Sequence, residues 1–153
     1  MKISKVTFEE MRSTPGFQEL CTAYAAEAGH ECFGPWVLNE DTYRVLDEQG
    51  LLTVFIATDE GKLVGLCAAI RSTPTHFALA RTLIIDAMYA MPGYGANAGL
   101  GMLRALKRYA NEMRMDGLVV EAKLGTRAHA LYERIAQELN TVFWVPCGAR
   151  GRE

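Results

Sequence analysis

Cysteine is scarce in this sequence, and no two cysteines have the spacing of a metal or redox motif. The four cysteines, at positions 21, 32, 67 and 147, are widely scattered and form no CxxC pair. Zinc ribbons and dithiol oxidoreductases need closely spaced pairs, so the sequence predicts neither kind of site. We therefore expect reduced thiols and no bound metal.

Long apolar runs are also missing. No apolar stretch approaches the roughly 20 residues that a membrane-spanning helix needs. The first segment, MKISKVTFEEM, carries charges where a secretory signal peptide has its apolar centre. We therefore expect a cytoplasmic protein with no membrane partner.

Neither sign of charge dominates, since the formal net charge is −2. No basic stripe is interleaved with aromatic residues, so we do not expect nucleic acid as a partner. The charges are nevertheless uneven, with nine acids and four bases in residues 1–50 and six acids and nine bases in residues 101–153. That asymmetry suits a cationic acceptor at one end and a phosphate-bearing cofactor at the other, although solvated helix faces would give the same counts.

The length and the composition predict one globular domain. The chain has 153 residues, half of them apolar, and a chain of this size buries about two thirds of its unfolded surface. We expect the domain to span residues 1–153, with a flexible tail over 148–153. No internal repeat or low-complexity tract interrupts it.

Hydrophobic periodicity predicts a mixed α/β sheet flanked by helices, in the order β, α, α, β, β, β, α, β, α, β. The turn residues Asp59 to Lys62 join two apolar runs and are typical of a β-hairpin. Helices are predicted from an N-cap at Thr14 to Gly29, from Asn39 to Gly50, over 103–113 and over 127–138. Strands are predicted over 2–8, 51–58, 63–70, 80–91, 117–122 and 141–145.

The most informative segment is PGYGANAGLGML, from Pro92 to Leu103, which places four glycines between a strand and a helix. A strand, a glycine-rich turn and a helix start favour an anion, because unpaired amides and the helix dipole point to one place. A tight packing turn gives the same pattern. The segment is not a P-loop, since Met102 and not Lys follows Gly101. It also comes too late in the chain for a dinucleotide fold.

Two segments of this chain resemble the GNAT acyltransferases. YAMPGYGANAGLGMLRALKRYA is similar to the coenzyme A pyrophosphate loop and helix of that family, and ALYERIA is similar to its last helix. The similarity covers residues 51–145. It implies a central mixed sheet of about six to seven strands flanked by four helices, with acetyl-CoA as the cofactor.

The resemblance also implies a set of cofactor contacts. The main chain at Met88, Tyr89 and Ala90 is expected to pair with the pantetheine arm, as an added strand pairs with a sheet edge. Arg104, Lys107 or Arg108 is expected to reach the outlying phosphate. The pyrophosphate is expected to lie against the backbone of Gly95, Ala96, Asn97, Ala98, Gly99, Gly101 and Met102.

The resemblance implies two catalytic roles. Tyr132 matches the family's proton donor to the departing thiolate, since a phenol with a pKa of about 10 stays protonated at neutral pH and can hydrogen-bond the sulfur of a thiol whose own pKa is about 8.5. Asp86, on the strand that leads into the loop, is the expected general base, with Glu31 and His30 as alternatives. Glu31 and Trp36 are expected to contact the acceptor, in a pocket to which Phe33 and Tyr43 add aromatic walls.

The chain departs from the family at two places. Gly95 or Ala96 stands where Arg or Gln commonly opens the loop, and Gly125 stands where Asn often precedes the last helix. Backbone amides supply most of the pyrophosphate contacts, so neither change forbids the cofactor.

Three functions are compatible with these observations. The first is N-acetyl transfer from acetyl-CoA to an amine, of a small molecule or a protein, by direct attack in a ternary complex. The second is a catalytically degenerate GNAT-fold domain that binds CoA as a regulatory or assembly module. The third is a binder of another phosphorylated ligand. The strand predicted over 141–145 also allows a homodimer, by pairing across two copies.

Overall fold

The computed structural model describes residues 1–139, Phe143 and Val145, and at Glu31 it describes the main chain only. The strand predicted over 141–145 and the tail predicted over 148–153 therefore lie outside the described residues, apart from those two positions.

The described residues form one mixed sheet of five strands, in the order β1-β2-β3-β4-β5. The first four strands are antiparallel neighbours, and β5 runs parallel to β4. The mixed α/β class is confirmed, but this part of the chain has five strands and five α-helices, where about six to seven strands and four helices were predicted. The elements are β1 (Lys2–Val6), α1 (Phe8–Ser13), α2 (Phe17–Ala28), a 3-10 turn (Glu31–Phe33), α3 (Glu40–Glu48), β2 (Leu52–Asp59), β3 (Lys62–Ser72), β4 (Thr82–Ala90), α4 (Gly95–Glu112), β5 (Gly117–Val120) and α5 (Arg127–Ile135).

The extra helix, α1, begins where the first strand was predicted to continue. Thr7 forms a capping box with Glu10, in which the Thr7 side chain accepts from the Glu10 amide and the Glu10 carboxylate accepts from the Thr7 amide. These bonds satisfy two of the amides that a helix start leaves unpaired. The strand therefore ends at Val6, and the prediction that it reached Phe8 is wrong.

The start of α2 also differs from the prediction. Thr14 is the C-cap of α1, and the amide of Leu63 donates to the carbonyl of Pro15 at 2.7 Å. Gly16 then takes a left-handed conformation with φ of 92° before α2 begins at Phe17. Thr14 and Pro15 thus belong to the connection between two helices and not to the first turn of α2.

The sheet carries a core on each face. Helices α1, α2 and α3 cover one face, where the buried residues include Phe8, Leu20 and Leu66. Helix α4 covers the other face through Ala98, Met102, Leu106 and Ala110, all of which are buried. This arrangement leaves the end of β4 and the start of α4 side by side at one edge of the molecule.

Helix α4 begins eight residues earlier than predicted. The glycine-rich segment was predicted to be a loop up to Leu103, but the helix starts at Gly95, and the connection from β4 is only Met91 to Tyr94. Glycine has a low helix propensity, which is why the sequence favoured a loop. Burial of Ala98 and Met102 against the sheet outweighs that preference.

A β-bulge in β4 lies at Asp86. Ala68 of β3 pairs with Ala87 and Ala69 pairs with Ile85, so Asp86 has no partner in the register. The extra residue reverses the alternation of the strand. Ile85 therefore packs in the core beneath α4, whereas Ala87 and Tyr89 pack in the core beneath α1–α3.

Candidate active site

The bulge coincides with a split between β4 and β5. The two strands pair from Thr82 with Gly117 as far as Ile85 with Val120, and this parallel ladder then ends. Strand β4 continues to Ala90. The stretch from Asp86 to Ala90 thus extends past its neighbour toward the N-terminus of α4, with α5 on the far side of the opening.

Helix α4 presents unpaired amides at this opening. The amide of Ala98 donates to the carbonyl of Tyr94 at 2.8 Å, so the preceding N–H groups, of Gly95, Ala96 and Asn97, have no carbonyl of this helix in reach. Tyr94 makes no side-chain cap, whereas side chains cap α1, α3 and α5. The helix dipole adds to the positive potential at these amides.

The earlier start of α4 changes which amides of the predicted set are accessible. Ala98, Gly99 and Gly101 lie inside the helix, where backbone amides bond to the carbonyls of the preceding turn. Met102 is fully buried in the core. The structure therefore brings Gly95, Ala96 and Asn97 to the opening and places Ala98, Gly99, Gly101 and Met102 away from it.

The three basic residues predicted to reach an outlying phosphate lie further along α4. Arg104, Lys107 and Arg108 are all exposed. Arg104 is nine residues beyond Gly95, which corresponds to about 13 Å of helix. These side chains therefore do not belong to the group of residues at the first turn of α4.

Arg127 lies at the opening and was missed by the sequence reasoning. Its Nη2 donates to Glu27 at 2.6 Å and to the carbonyl of Ala90 at 3.1 Å. Its Nη1 lies 3.3 Å from the position that a Cβ on Gly95 would take, and the guanidinium stacks over the ring of Tyr89. One feature of the sequence could have identified Arg127: it directly follows Thr126, the N-cap of α5, and so occupies the first position of that helix.

Tyr132 of α5 faces the open part of β4. Its side chain is 8% exposed, and its hydroxyl lies 3.6 Å from the sulfur of Met88. Burial, with smaller effects from Cys67 and Tyr24, raises the pKa of Tyr132 above the ordinary phenol value. The phenol is therefore protonated at neutral pH and able to donate a proton or a hydrogen bond into the opening.

Asp86 forms a hydrogen bond with Tyr43 of α3. The Tyr43 hydroxyl donates to Oδ2 of Asp86, while the Asp86 residue itself stays exposed. Burial, reinforced by the charge of Asp86, raises the pKa of Tyr43, and the same two causes raise the pKa of Tyr24. Asp86 thus accepts a hydrogen bond from the neutral phenol of Tyr43, and its charge also acts on the phenol of Tyr24.

A cavity of about 220 Å³ opens beside Asp86, between β4 and the α1–α3 layer. Trp36 and Tyr43, two residues suggested by the sequence, line it, and Tyr24 meets Trp36 edge to face at 6.1 Å between ring centroids. The full lining consists of Met11, Phe17, Cys21, Tyr24, Trp36, Val37, Leu38, Asn39, Tyr43, Leu66, Ala68, Asp86 and Ala87.

The other suggested acceptor residues lie outside this lining. His30 and Phe33 meet edge to face at 6.0 Å in the segment after α2, and Phe33 is 70% exposed. Glu31 belongs to the same 3-10 turn, and its side chain is outside the described residues. The structure therefore joins Asp86, Trp36 and Tyr43 in one cavity and does not bring His30 or Phe33 into it.

Neither a metal site nor a membrane span is found in the part of the chain that the structure describes. Among these residues, no cluster of His, Cys, Asp and Glu side chains has an arrangement that would hold a metal ion. In the same part of the chain, no helix combines the length and the apolar character needed to cross a bilayer.

Known proteins were compared with the chain by sequence and by structure. No family model and no curated protein matches the sequence. Solved structures do match over nearly the whole of both chains. A ribosomal-protein-alanine N-acetyltransferase from Brucella melitensis biovar Abortus 2308 is 19% identical, with a TM-score of 0.67, and the match covers 97% of this chain and 100% of that one.

Two further structures extend this similarity. An aminoglycoside acetyltransferase from an uncultured soil metagenomic sample, solved with trehalose, is 16% identical over 96% of each chain, with a TM-score of 0.72. A predicted acetyltransferase from Clostridium acetobutylicum, solved with acetyl-CoA, is 17% identical over 96% of this chain and 95% of that one, with a TM-score of 0.70. The chain therefore has the fold of the GNAT acetyltransferases.

Proposed function

We propose that the protein transfers an acetyl group from acetyl-CoA to an amine. The observation that carries the proposal is a joint placement around one opening in a GNAT fold. The opening brings together the uncapped first turn of α4, the end of β4 that extends past β5, and the phenol of Tyr132. The solved relatives with this fold include a structure with acetyl-CoA and several aminoglycoside acetyltransferases.

The residues at the opening fit the charged part of CoA. A pyrophosphate needs several N–H donors and positive potential, and the amides of Gly95, Ala96 and Asn97 supply both. The guanidinium of Arg127, beside Gly95, is a cation of the kind that the family commonly has in the loop and that this loop lacks. A planar guanidinium can bind two phosphate oxygens at once. We assign these four residues to pyrophosphate binding.

The end of β4 fits the uncharged part of CoA. The main chain from Met88 to Ala90 lies beyond the last pair of the β4–β5 ladder, so an extended amide-bearing arm can add to this edge. Tyr89 contributes its main chain here, because its side chain is buried beneath α2. Binding through the backbone explains why the side chains at these positions need not match the family.

The proposed chemistry is direct attack without a covalent enzyme intermediate. Acetyl-CoA supplies a thioester whose carbonyl carbon is attacked by the amine nitrogen, and the carbon–sulfur bond then breaks. Asp86 accepts a proton from the incoming ammonium, directly or through water, so that the nitrogen has a free electron pair. Tyr132 donates its phenolic proton to the departing thiolate, and the second proton that the nitrogen releases as the amide forms restores the phenol. The raised pKa of Tyr132 keeps its phenol protonated at neutral pH, as this role needs.

The second candidate, a degenerate CoA-binding domain, is favoured by one observation, the absence of Arg or Gln at Gly95 and Ala96. A turnover assay separates the two. Purified protein is incubated with acetyl-CoA and a panel of primary amines, thiol release is followed by a colorimetric reagent, and the acetylated amine is identified by mass spectrometry. We expect amine-dependent thiol release. CoA binding without turnover for any amine would support the degenerate domain.

A further inference from the structure

We infer that the acceptor is a small amine with a single positive charge and an apolar body, bound in the cavity beside Asp86. The inference rests on the proposed acetyl transfer and assigns the class of its second substrate. It separates this chain from relatives that act on aminoglycosides, which carry several ammonium groups.

The size of the cavity is the first argument. Its volume of about 220 Å³ lies below the ~300–1,000 Å³ of pockets that hold drug-sized ligands. A second cavity of about 370 Å³ shares Trp36 and Val37 with it and has no acidic residue in its described lining. Most of the lining of the cavity beside Asp86 is apolar or aromatic, with Met11, Phe17, Leu38 and Leu66 contributing aliphatic or aromatic carbon. Burial of an apolar substrate body against this lining is favourable in proportion to the apolar area that is removed from water.

The charge of the cavity is the second argument. Asp86 is the one ionisable carboxylate among its lining residues. Tyr24 and Tyr43 stay neutral because their pKa values are raised. The side-chain oxygen of Asn39 already accepts the amide of Thr42 as the cap of α3. One ammonium is therefore matched by one carboxylate, and a second ammonium would find no second carboxylate among the described lining residues, which leaves its charge uncompensated.

Three acids of the α1–α3 layer are held in ion pairs with Arg12 and Arg44. Glu40, in α3, receives hydrogen bonds from Arg12 at 2.7 Å and from Arg44 at 2.8 Å. Arg44 also pairs with Glu9 and Asp41. These three acids are thus ion-paired within the fold, and none of them lines the cavity.

The aromatic residues complete the match to a monocation. Tyr43 donates to Asp86 from one side, and Trp36 and Tyr24 stand edge to face on the wall of the same cavity. Aromatic faces attract an ammonium and pack against an apolar body. An ammonium at Asp86 with its carbon chain against these rings satisfies every feature of the lining named here.

The kinetic test compares phenethylamine with spermidine and with neamine as acceptors, at saturating acetyl-CoA. We expect phenethylamine to react with a kcat/KM that exceeds the value for either polycation by about tenfold or more. A polycation that equals or exceeds phenethylamine would overturn the inference while leaving acetyl transfer in place.

A fluorescence titration measures amine binding to the cavity in the absence of acetyl transfer. In a Trp144→Phe background the fluorescence of Trp36 alone reports on the cavity, and it is titrated with each amine in the absence of acetyl-CoA. We expect saturable quenching by phenethylamine that weakens about tenfold in Asp86→Asn and is unchanged in Glu48→Gln, a matched carboxylate change at an exposed site of α3. Saturable binding with no CoA affinity would reject the proposed function and leave a monoamine site without an acceptor role, whereas equal binding by Asp86→Asn would reject the inference.

A reversal variant tests the charge argument directly. Val37 lines the cavity and is 81% exposed, so Val37→Asp adds a carboxylate at the rim with little risk to folding. We expect the kcat/KM for spermidine, relative to that for phenethylamine, to rise by about tenfold. Val37→Asn is the neutral control. An unchanged ratio would contradict the claim that a single carboxylate limits the cavity to monocations.

Discussion

At the scale of single residues, the reaction depends most on Tyr132. If its phenol protonates the departing thiolate, Tyr132→Phe should lower kcat by about 100-fold, in the range of general acid catalysis. The Kd for acetyl-CoA should stay the same, because the lost hydroxyl contacts the sulfur of Met88 and no charged group. Thiol-release kinetics and calorimetry measure the two quantities.

Tyr109→Phe is the matched control for that experiment. Tyr109 lies on α4 against Phe55, on the face of the sheet away from the acceptor cavity. An unchanged kcat in Tyr132→Phe, or an equal loss in Tyr109→Phe, would remove Tyr132 from the mechanism.

Arg127 gives a second prediction at this scale. Arg127→Ala should weaken acetyl-CoA binding about tenfold, because it removes one charge-assisted hydrogen bond to a phosphate. Glu27 competes for the same guanidinium, and the hydrogen bond from Arg127 lowers the pKa of Glu27 and keeps it ionised. Glu27→Gln should therefore bind acetyl-CoA as well as wild type or better.

Calorimetric titration of both variants separates a binding role from a structural one. An exposed ion pair contributes only about 0–1 kcal/mol to stability, so neither change should unfold the protein. If Glu27→Gln weakens acetyl-CoA binding as much as Arg127→Ala does, the Glu27–Arg127 ion pair has a structural role in holding α2 against α5. Arg127 would then not bind the phosphate directly.

Part of the site could be predicted from single residues and part could not. Tyr132 and the stretch from Met88 to Ala90 stand in motifs whose spacing is readable in the sequence. Tyr43 was suggested as a pocket wall, but its hydrogen bond to Asp86 and the place of Arg127 beside Glu27 could not be predicted, because these contacts join residues 43 and 100 positions apart. Local sequence patterns carry no information on such distant pairs.

At the scale of elements, the glycines of α4 differ in what surrounds them. No atom lies within 4 Å of a Cβ added at Gly99, whereas a Cβ at Gly101 would overlap Cδ1 of Ile3 in β1. Gly99→Ala should raise the free energy of unfolding by about 0.5–1 kcal/mol, since alanine favours the helix. The free energy of unfolding of Gly101→Ala should be about 1 kcal/mol lower than that of Gly99→Ala, because the Ile3 side chain must shift to make room for the new methyl group.

Urea unfolding of the two variants and the wild type measures this difference. The chemical change is identical and both sites lie in one helix, so the comparison isolates the contact with β1. Equal stabilisation by both substitutions would mean that α4 does not pack on β1 as described.

The boundaries of the elements show where the sequence was informative. The hairpin of β2 and β3 follows from turn residues and apolar runs, and it forms as predicted. The first turn of α4 was missed because glycine propensity favours a loop, and tertiary burial decided otherwise. The pattern Thr7-x-x-Glu10 was a readable helix start that the alternation of β1 obscured. The bulge at Asp86 has no local signal, since it depends on the register with β3.

At the scale of the whole molecule, buried acids that stay protonated predict a loss of stability in alkali. Burial raises the pKa of Cys67 to about 12 and raises the pKa values of Tyr24, Tyr43 and Tyr132. At high pH the unfolded chain has lost these protons while the native state keeps them, so the free energy of unfolding falls as pH rises.

The fall should begin near pH 8.5, the ordinary pKa of a thiol, and steepen above about pH 10, where free phenols ionise. Each such group adds a slope of about 1.4 kcal/mol per pH unit between its unfolded and folded pKa values. Urea unfolding at constant ionic strength between pH 7 and pH 11 measures the profile. Tyr132→Phe should give a shallower decline above pH 10, and a flat profile in the wild type would contradict the burial of these groups.

The proposed acetyl transfer requires one dominant affinity of the protein, for acetyl-CoA at the start of α4. The most direct measurement is calorimetric titration of wild type, Ala96→Glu and Ala96→Gln with acetyl-CoA. Ala96 is exposed in the first turn, and a carboxylate there favours the helix dipole while it repels pyrophosphate, so a loss of binding cannot be attributed to unfolding. We predict a wild-type Kd of about 10 μM, a similar value for Ala96→Gln, and binding weakened about tenfold or more in Ala96→Glu. No binding by the wild type, or equal binding by all three proteins, would contradict the assignment of this opening as the acetyl-CoA site.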